Sequence, residues 1–314
     1  MNALLRIAVQ IDPIERMLVE RDTSLALMLE AQARGYEVSW FHPDDLFFDR
    51  GRIMARAKRV EVSLKEGDHY RQLGDSVVEA ASFDVILIRQ DPPFDMAYVS
   101  NTYLLERVET LVLNRPRGVR NIPEKLSILA FPDLIAPTFV GRDGAALKAF
   151  ASAFEEIVLK PSFLAGGEGV VRLKSNAPDF MGRVMQFLEG IGKEPLVAQQ
   201  FLPRVMEGDK RVFVLGGEPI GAVRRVPQGG DFRANLHVGG QPEASEIDAR
   251  DREIVARVAP LLEQEGVLFA GLDVIDGMLT EINVTSPTLV RELKRLGGAD
   301  IPALFWDRVS AMKR

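Results

Sequence analysis

The chain runs to 314 residues, enough for two or three packed units around a large core, and with 46% hydrophobic and 27% charged residues its composition is globular, not disordered. A formal net charge of -6 argues against broad binding to nucleic acid or an anionic membrane surface. Cysteine is absent, which excludes disulfides, thiolate metal sites and a cysteine nucleophile together, and fits a cytoplasmic protein.

The apolar opening runs directly into Asp12-Pro13 without a small-residue cleavage site, so it reads as a first strand and not as a signal peptide. No apolar run approaches the ~18 residues that a membrane span needs. Strand and helix then alternate: strand over 6–11, helix over 23–34 with Asp22 as its N-cap and Gly35 as its stop, strand over 36–41, and buried strands at 84–89 and 111–114. That order predicts a parallel sheet with helices on its faces. In such sheets ligands sit beyond the carboxyl ends of the strands, where Asp12, Arg89 and Asp91 fall. Arg89 and Asp91 are therefore candidate substrate contacts, with a strand-end ion pair as the equal alternative. No Gly-x-Gly-x-x-Gly follows the first strand, which disfavours a dinucleotide site.

Turn formers and charge at 117–123 mark a domain boundary, dividing the chain into 1–122 and 123–314. Past it, Lys160 ends an apolar strand and is followed by a turn containing Gly166, Gly167 and Gly169. Glycines let backbone N–H groups point inward and the ammonium adds a point charge, so the stretch suits phosphates, although glycine-rich hairpins without a ligand are common. A strand carrying Gln199, Gln200, Phe201 and Leu202 comes next, then one carrying Asp209 and Arg211. The stretch 224–240 combines the glycines of a mobile loop with Arg225 and Arg233, and reads as a lid, over about 226–241, that excludes water and brings cations to developing negative charge; a surface loop with incidental arginines has the same composition.

The segment Gly271–Thr288 reads as a hairpin around Asp276-Gly277. Alternation puts Glu281 and Asn283 on one face, and a three-residue loop would set Asp273 across from Glu281. Three oxygen donors without histidine or cysteine suit Mg²⁺, which takes one or two carboxylates and completes its shell with water and phosphate oxygens. A half-exposed hairpin with a solvated polar face remains the bland alternative.

Taken in order, Asp12-Pro-Ile14, Arg89-Gln-Asp-Pro-Pro-Phe94, Asn121-Ile-Pro-Glu-Lys125, Leu159-Lys-Pro161, Glu207-Gly-Asp-Lys-Arg211, Arg225-Val-Pro-Gln-Gly-Gly230, Arg233-Ala-Asn235, Gly239-Gly240 and Thr280-Glu-Ile-Asn-Val-Thr-Ser-Pro-Thr288 resemble the prokaryotic glutathione synthetases, which are ATP-grasp ligases. The resemblance covers nearly the whole chain, and its last motif is specific to that family. It implies an α/β fold: an N-terminal parallel-sheet (pre-ATP-grasp) domain followed by a two-lobed α+β ATP-grasp domain. It further implies that Lys125 and Lys160 contact ATP phosphates with Gly166 and Gly167, that Gln199, Gln200, Phe201 and Leu202 line the adenine pocket, and that Asp209 meets the ribose. Asp273, Glu281 and Asn283 would hold two Mg²⁺ ions, or Mn²⁺ in their place. Arg211, Arg225 and Arg233 would serve the chemistry, and Asp12, Arg89, Asp91, Asn235, Ser286 and Arg291 the organic substrates.

The implied reaction joins γ-glutamylcysteine to glycine through an acylphosphate, releasing ADP and phosphate, in a cytoplasmic homo-oligomer, a tetramer. Its partners are those small molecules, with no nucleic acid and no membrane. His42 and His69 are expected at ordinary surface or loop positions and His237 in the lid. The chain departs from the family at Ser162-Phe-Leu-Ala165, where a glycine-rich entry is usual, and at Gln90, where lysine is usual. Those departures leave room for a ligase with another γ-glutamyl or peptide-like acid or another amine. A nucleotide-binding paralogue without catalysis is the third reading.

Overall fold

The computed structural model describes residues 4–235 and 239–313, so His237 lies outside the described residues. Three sheets organise the chain. The first contains β1 (Arg6–Gln10), β2 (Glu37–Phe41), β3 (Leu46–Asp49), β4 (Arg52–Val62), β5 (Tyr70–Glu79), β6 (Val85–Ile88) and β7 (Leu111–Leu113), with helices α1 (Thr23–Ala33), α2 (Met96–Leu105) and α3 (Pro116–Asn121). As the alternation predicts, β1, β2, β6 and β7 pair in parallel. Asp22 caps α1 by accepting from the Leu25 N–H, and Gly35, at φ 81°, ends it.

Beside these parallel strands the sheet carries antiparallel ones that the alternation does not foretell. β4 pairs antiparallel with β2, β3 and β5. Its sequence RIMARAKRVEV does alternate, with Ile53, Ala55 and Ala57 buried, but a bulge between Arg59 and Val60 shifts the phase to Val60 and Val62. The charged outward residues and the broken period hide it from a search for apolar runs.

The second sheet holds β8 (Thr138–Gly141), β9 (Glu156–Pro161), β10 (Val171–Lys174) and β11 (Leu196–Gln200) in the order β10-β9-β11-β8, with α4 (Gly144–Ala151) and α5 (Phe180–Gly190) packed on it. The third is antiparallel, β14-β13-β12-β15-β16, from β12 (Asp209–Leu215), β13 (Glu218–Val226), β14 (Gln241–Ser245), β15 (Phe269–Ile275) and β16 (Met278–Asn283). One of its faces is apolar: Val212, Val214, Leu272, Val274 and Ile282 pack on α6 (Ala249–Gln264) through Ile254, Val255 and Val258.

The C-terminal helices α7 (Val290–Arg295) and α8 (Ile301–Met312) tie the third sheet to the first. Phe305 and Trp306 share a core with Phe213 and Phe269 on one side and with Leu25 and Leu27 of α1 on the other, and Trp306 Nε1 donates to the Leu27 carbonyl at 2.8 Å. Asn114 reinforces the junction. Its amide donates to the carbonyls of Phe269 and Val284 and accepts from the N–H groups of Leu268 and Phe269. Stretch 117–123, read as a turn, contains the end of α3, whose Gly118 lies so close to the Glu265 carbonyl that a Cβ would meet it at 2.4 Å.

Candidate active site

The second face of the third sheet is apolar at one end, where Phe213, Val223 and Phe269 meet the C-terminal helices, and charged at the other. Register places Asp209 opposite Arg225, Arg211 opposite Asp273, and Asp273 opposite Glu281, so side chains from four adjacent strands project to one side. Arg211 grips Asp273 through two bonds of 2.8 Å. Arg225 reaches the same carboxylate at 2.9 Å and also pairs with Asp209. Arg225 and Asp273 are each 2% exposed, so this is a buried network whose charges survive by mutual pairing. Arg225 was read as part of the mobile stretch. It belongs to β13, a strand residue held on both sides of its ladder.

The hairpin brings Asp273 and Glu281 together by a different route from the one expected. Its loop has two residues, Asp276 and Gly277, both at positive φ (52° and 70°), as a primed turn requires. That turn alone would pair Asp273 with Thr280. A bulge in the ladder beside Asp273 restores the pairing with Glu281, so an extra residue in β16, and not a longer loop, aims the carboxylate.

Facing this sheet across a cleft of about 720 Å³, mouth included, is the second sheet. Lys160, Gly167, Gln199, Gln200, Phe201, Leu202, Asp209, Arg233, Asn235, Asp273 and Glu281 line the cleft, and Ala136, Val158, Val170, Val205, Phe232 and Ile275 supply its apolar walls. The mix of an apolar slot with a few fixed charges is that of a ligand site. Gly166 and Gly167 have φ of 66° and 80°, as a turn that exposes backbone N–H groups needs. Lys125 lies beside the cleft: its ammonium donates to the Leu164 carbonyl and stands 4.0 Å from Glu281. Arg233 is held by Asp231 at 2.7 Å.

The residues read as substrate contacts fall into separate places. Asp12 accepts from the Asp91 N–H at 2.8 Å, Ser286 Oγ donates to the Gln90 carbonyl at 3.1 Å, and Arg89, buried, donates to Ser24 Oγ and the Pro287 carbonyl at 3.1 Å each. These four converge where β1 and β6 end against the segment after β16. Arg291 lies on α7, donating to the Val19 carbonyl. Asn235 instead lines the cleft beside Gly167. His69 sits in the β4–β5 connection, a loop position as expected, and is buried there, bonded to the Ile14 carbonyl at 2.7 Å. His42 is half-buried and accepts from the Asp44 N–H.

Burial and pairing pull the carboxylates apart. Burial alone would raise Asp273, but Arg211 and Arg225 hold it well below the usual range. Asp209 is pushed up to about 7 by burial, against the pull of Arg225. Glu124 is pushed up to about 7 by burial and then by Glu281. Burial draws the Lys160 ammonium down. Ionisable groups displaced in opposite directions within one cleft are a mark of a reactive site.

Comparison with known proteins settles the affiliation. Residues 124–298 match the family model described as prokaryotic glutathione synthetase, ATP-grasp domain, and residues 5–120 match that of the N-terminal domain of the same enzymes. The chain belongs to the prokaryotic glutathione synthetase family. The glutathione synthetase of Rhodopseudomonas palustris is 45% identical over 311 residues, 98% of this chain and 99% of its own. That of Salmonella typhimurium is 39% identical over 312 residues, again 98% and 99%. Among solved structures, the D-cycloserine synthetase DcsG aligns with a TM-score of 0.70 at 16% identity, covering 98% of this chain and 100% of its own, and the D-alanyl-alanine synthetase A of Vibrio cholerae with 0.62 at 11%, covering 99% and 98%. At those identities the structures speak for the fold alone.

Two groups escaped the sequence reading. Glu124 sat inside a motif quoted for its neighbour Lys125, and no local signal separates it. Phe232, which meets Phe201 edge-on at 5.9 Å across the cleft, was read only as part of a loop. As for Mg²⁺, no group of three or more His, Cys, Asp or Glu among the described residues forms a metal cage. Two carboxylates and the Asn283 amide, whose nitrogen donates to the Gly271 carbonyl at 3.3 Å, nevertheless fit a hard cation that draws its other oxygens from phosphates and water.

Proposed function

We propose that the chain synthesises glutathione: ATP, γ-glutamylcysteine and glycine give glutathione, ADP and phosphate. The charged ladder of the third sheet, set opposite Lys160 in one cleft, is the observation that carries the reading beyond family membership. The cysteinyl carboxylate attacks the γ-phosphoryl group, ADP leaves, and the glycine amine displaces phosphate from the acylphosphate. Such chemistry requires positioning and charge neutralisation rather than a protein nucleophile.

Lys125 and Lys160 hold the phosphates, the backbone of Gly166 and Gly167 cradles them, Gln199 to Leu202 flank the base, and Asp209 meets the ribose. Arg211 and Arg225 neutralise the transferring phosphoryl group and the tetrahedral oxyanion. Arg233 closes over them from the lid, taken as about 226–241, and Asn235 assists there. Asp12, Arg89, Asp91, Ser286 and Arg291 hold the organic substrates at the strand ends of the first domain. Residues 1–122 thus serve the organic substrates, joined by Ser286 and Arg291 from 123–314, the domain that holds the nucleotide. Asp273, Glu281 and Asn283 would hold two Mg²⁺ ions, which when bound offset the charge of the β- and γ-phosphates. The functional unit is a cytoplasmic homo-oligomer, a tetramer; no helix among the described residues is long and apolar enough to cross a membrane.

The test is phosphate release from Mg-ATP with both organic substrates and with each omitted in turn. Release that requires both, with glutathione in equal amount, is expected. Folded, ATP-binding protein that releases none would overturn the assignment.

A further inference from the structure

The loop that joins β9 to β10, residues 162–170, is held at its entry by three separate segments. Ser162 Oγ donates to the Pro195 carbonyl at 2.5 Å, and the Leu164 carbonyl accepts from the Lys125 ammonium. Between them Phe163, half-buried, turns away from its own lobe. Its carbonyl accepts from the Phe94 N–H at 3.4 Å, its ring lies 6.2 Å from that of Phe94, and it stands outside the core that α4 and α5 build on the second sheet. The glycine half of the loop is tied mainly to itself. The Glu168 N–H donates to the Ala165 carbonyl at 3.1 Å and the Val170 N–H to the Gly167 carbonyl at 3.4 Å, and Gly167 lines the cleft.

On the far side of the contact, Phe94 packs on the core of the first domain and lies 5.1 Å from the ring of Tyr98, a buried residue of α2. The Tyr98 hydroxyl donates to the Gln90 carbonyl at 3.4 Å, and the same carbonyl accepts from Ser286 Oγ. Arg89 and the Asp91 N–H flank it, bonded to Ser24, Pro287 and Asp12. An unbroken series of contacts therefore runs from the glycine loop through Phe163, Phe94 and Tyr98 to the strand end of β6. Continuity transmits energy only where one end has a conformational state that the other can bias. The loop supplies one, because glycines lose more backbone freedom on ordering than other residues, and a docked entry leaves only 165–170 for the nucleotide to order.

We infer that Phe163 is a positioning residue that docks the glycine loop on the first domain through Phe94, so that γ-glutamylcysteine bound at the strand ends orders the loop and tightens ATP. The inference rests on the proposed synthesis of glutathione, which puts the dipeptide at Arg89 and Asp91. A ligand held there restrains the segment 89–94, Phe94 passes the restraint to Phe163, and the phosphates then meet a loop whose entry is already fixed. Ordering that one ligand has brought about is not demanded of the second, so the two bind with positive coupling, and by linkage ATP tightens γ-glutamylcysteine by the same factor. The consequence for the reaction is selectivity in time: the nucleotide is held most firmly when the carboxylate that attacks it is present.

Calorimetric titration with a non-hydrolysable ATP analogue and Mg²⁺, with and without saturating γ-glutamylcysteine, tests it in the unaltered protein and in Phe163→Ala, Phe94→Ala, the double variant and Phe163→Tyr, each first shown to fold by thermal unfolding. In the unaltered protein the dipeptide is expected to tighten the analogue at least fivefold. Phe163→Ala and Phe94→Ala should each bring that factor to within twofold of one while the Kd of γ-glutamylcysteine alone stays within twofold, the double variant should lose no more than either single one, and Phe163→Tyr, which keeps the ring, should restore the coupling. Amide hydrogen exchange gives a second reading: γ-glutamylcysteine alone should slow exchange across 162–170 in the unaltered protein and not in Phe163→Ala. Independent binding of the two ligands to the unaltered protein, coupling that survives both alanine variants, or a loop whose exchange ignores the dipeptide would each overturn the inference. Folded protein that binds the nucleotide but no γ-glutamylcysteine would instead overturn the proposed function beneath it.

Discussion

Two hairpins face each other across the cleft and solve opposite problems. β15 and β16 are joined by two residues, and the carboxylate at their centre, Asp273, is tied by two arginines. β9 and β10 are joined by a nine-residue loop, 162–170, with three glycines at positive φ, and the lysine at its start makes no ion pair among the described residues. The difference separates two tasks. Groups that must meet developing charge are fixed on a ladder, where they need no reorganisation during the reaction. Groups that must accept a departing and returning nucleotide are backbone N–H donors and a free-ended cation, which adapt.

Breaking the fixed side should do the most. Arg225→Ala removes a cation from the ladder, and kcat is expected to fall by about 100- to 1,000-fold with the Kd for ATP within a few fold. Steady-state kinetics beside nucleotide titration read this, and equal losses in both constants would contradict a role in the transition state. Glu281→Gln keeps the shape but removes a charge facing Lys125. Turnover should drop on the order of 100-fold and recover in part at raised Mg²⁺, because a weakened cation site responds to concentration.

The fixed side also has a pH signature in the ligand-free protein. Glu124 and Asp209 carry folded-state values of about 7, above the ordinary carboxylate range. A raised carboxyl contributes stability that is full below its unfolded value and is lost as pH rises through its folded one. Stability should therefore decline between about pH 4 and 8. Asp273, held low, titrates below that window. Urea unfolding of wild type and Glu124→Gln across the range reads the slope, which should flatten in the variant; parallel curves would remove Glu124 as a cause.

On the adaptable side the effect is smaller. Gly167→Ala places a Cβ 2.6 Å from Asn235 Oδ1 at φ 80°. The loop can shift, so the expected result is a rise of about tenfold in the Kd for ATP, about 1.4 kcal/mol, with kcat changed less. A larger loss in kcat than in affinity would move Gly167 to the fixed side of the comparison.

The contrast also explains what could be read before the structure. Strand periodicity exposed the face shared by Glu281 and Asn283, and oxygen chemistry gave their use, since both are local properties of a few residues. The partner Asp273 was found through an assumed three-residue loop, whereas a two-residue turn and a bulge do the same work. Bulges leave no mark in composition, and the same is true in β4, whose phase slips at Arg59. What stayed hidden depends on distant segments. Nothing near Phe163 says that it will meet Phe94, and nothing near Glu124 says that Thr285, 161 positions away, will bond it. Arg225 was misplaced for a related reason: its neighbours include the glycines of a loop, but the ladder partners that make it a strand residue lie at Asp209 and Pro242.

The smallest test concerns the turn that joins the fixed hairpin. Gly277 sits at φ 70°, where an L side chain is strained, and a Cβ would meet Arg250 Cγ at 3.3 Å. Arg250 is a flexible neighbour that donates to the Gly277 carbonyl at 2.9 Å, and Arg204 braces Asp276 at 2.6 Å. Gly277→Ala should therefore cost about 1 kcal/mol, the conformational penalty with little added clash. The bulge at Asp273, not the turn, aims the carboxylates, so kcat and the Mg²⁺ requirement should not change. If turnover fell with stability, the aim of Asp273 and Glu281 would be set from the turn, and the two ends of the hairpin would act as one device.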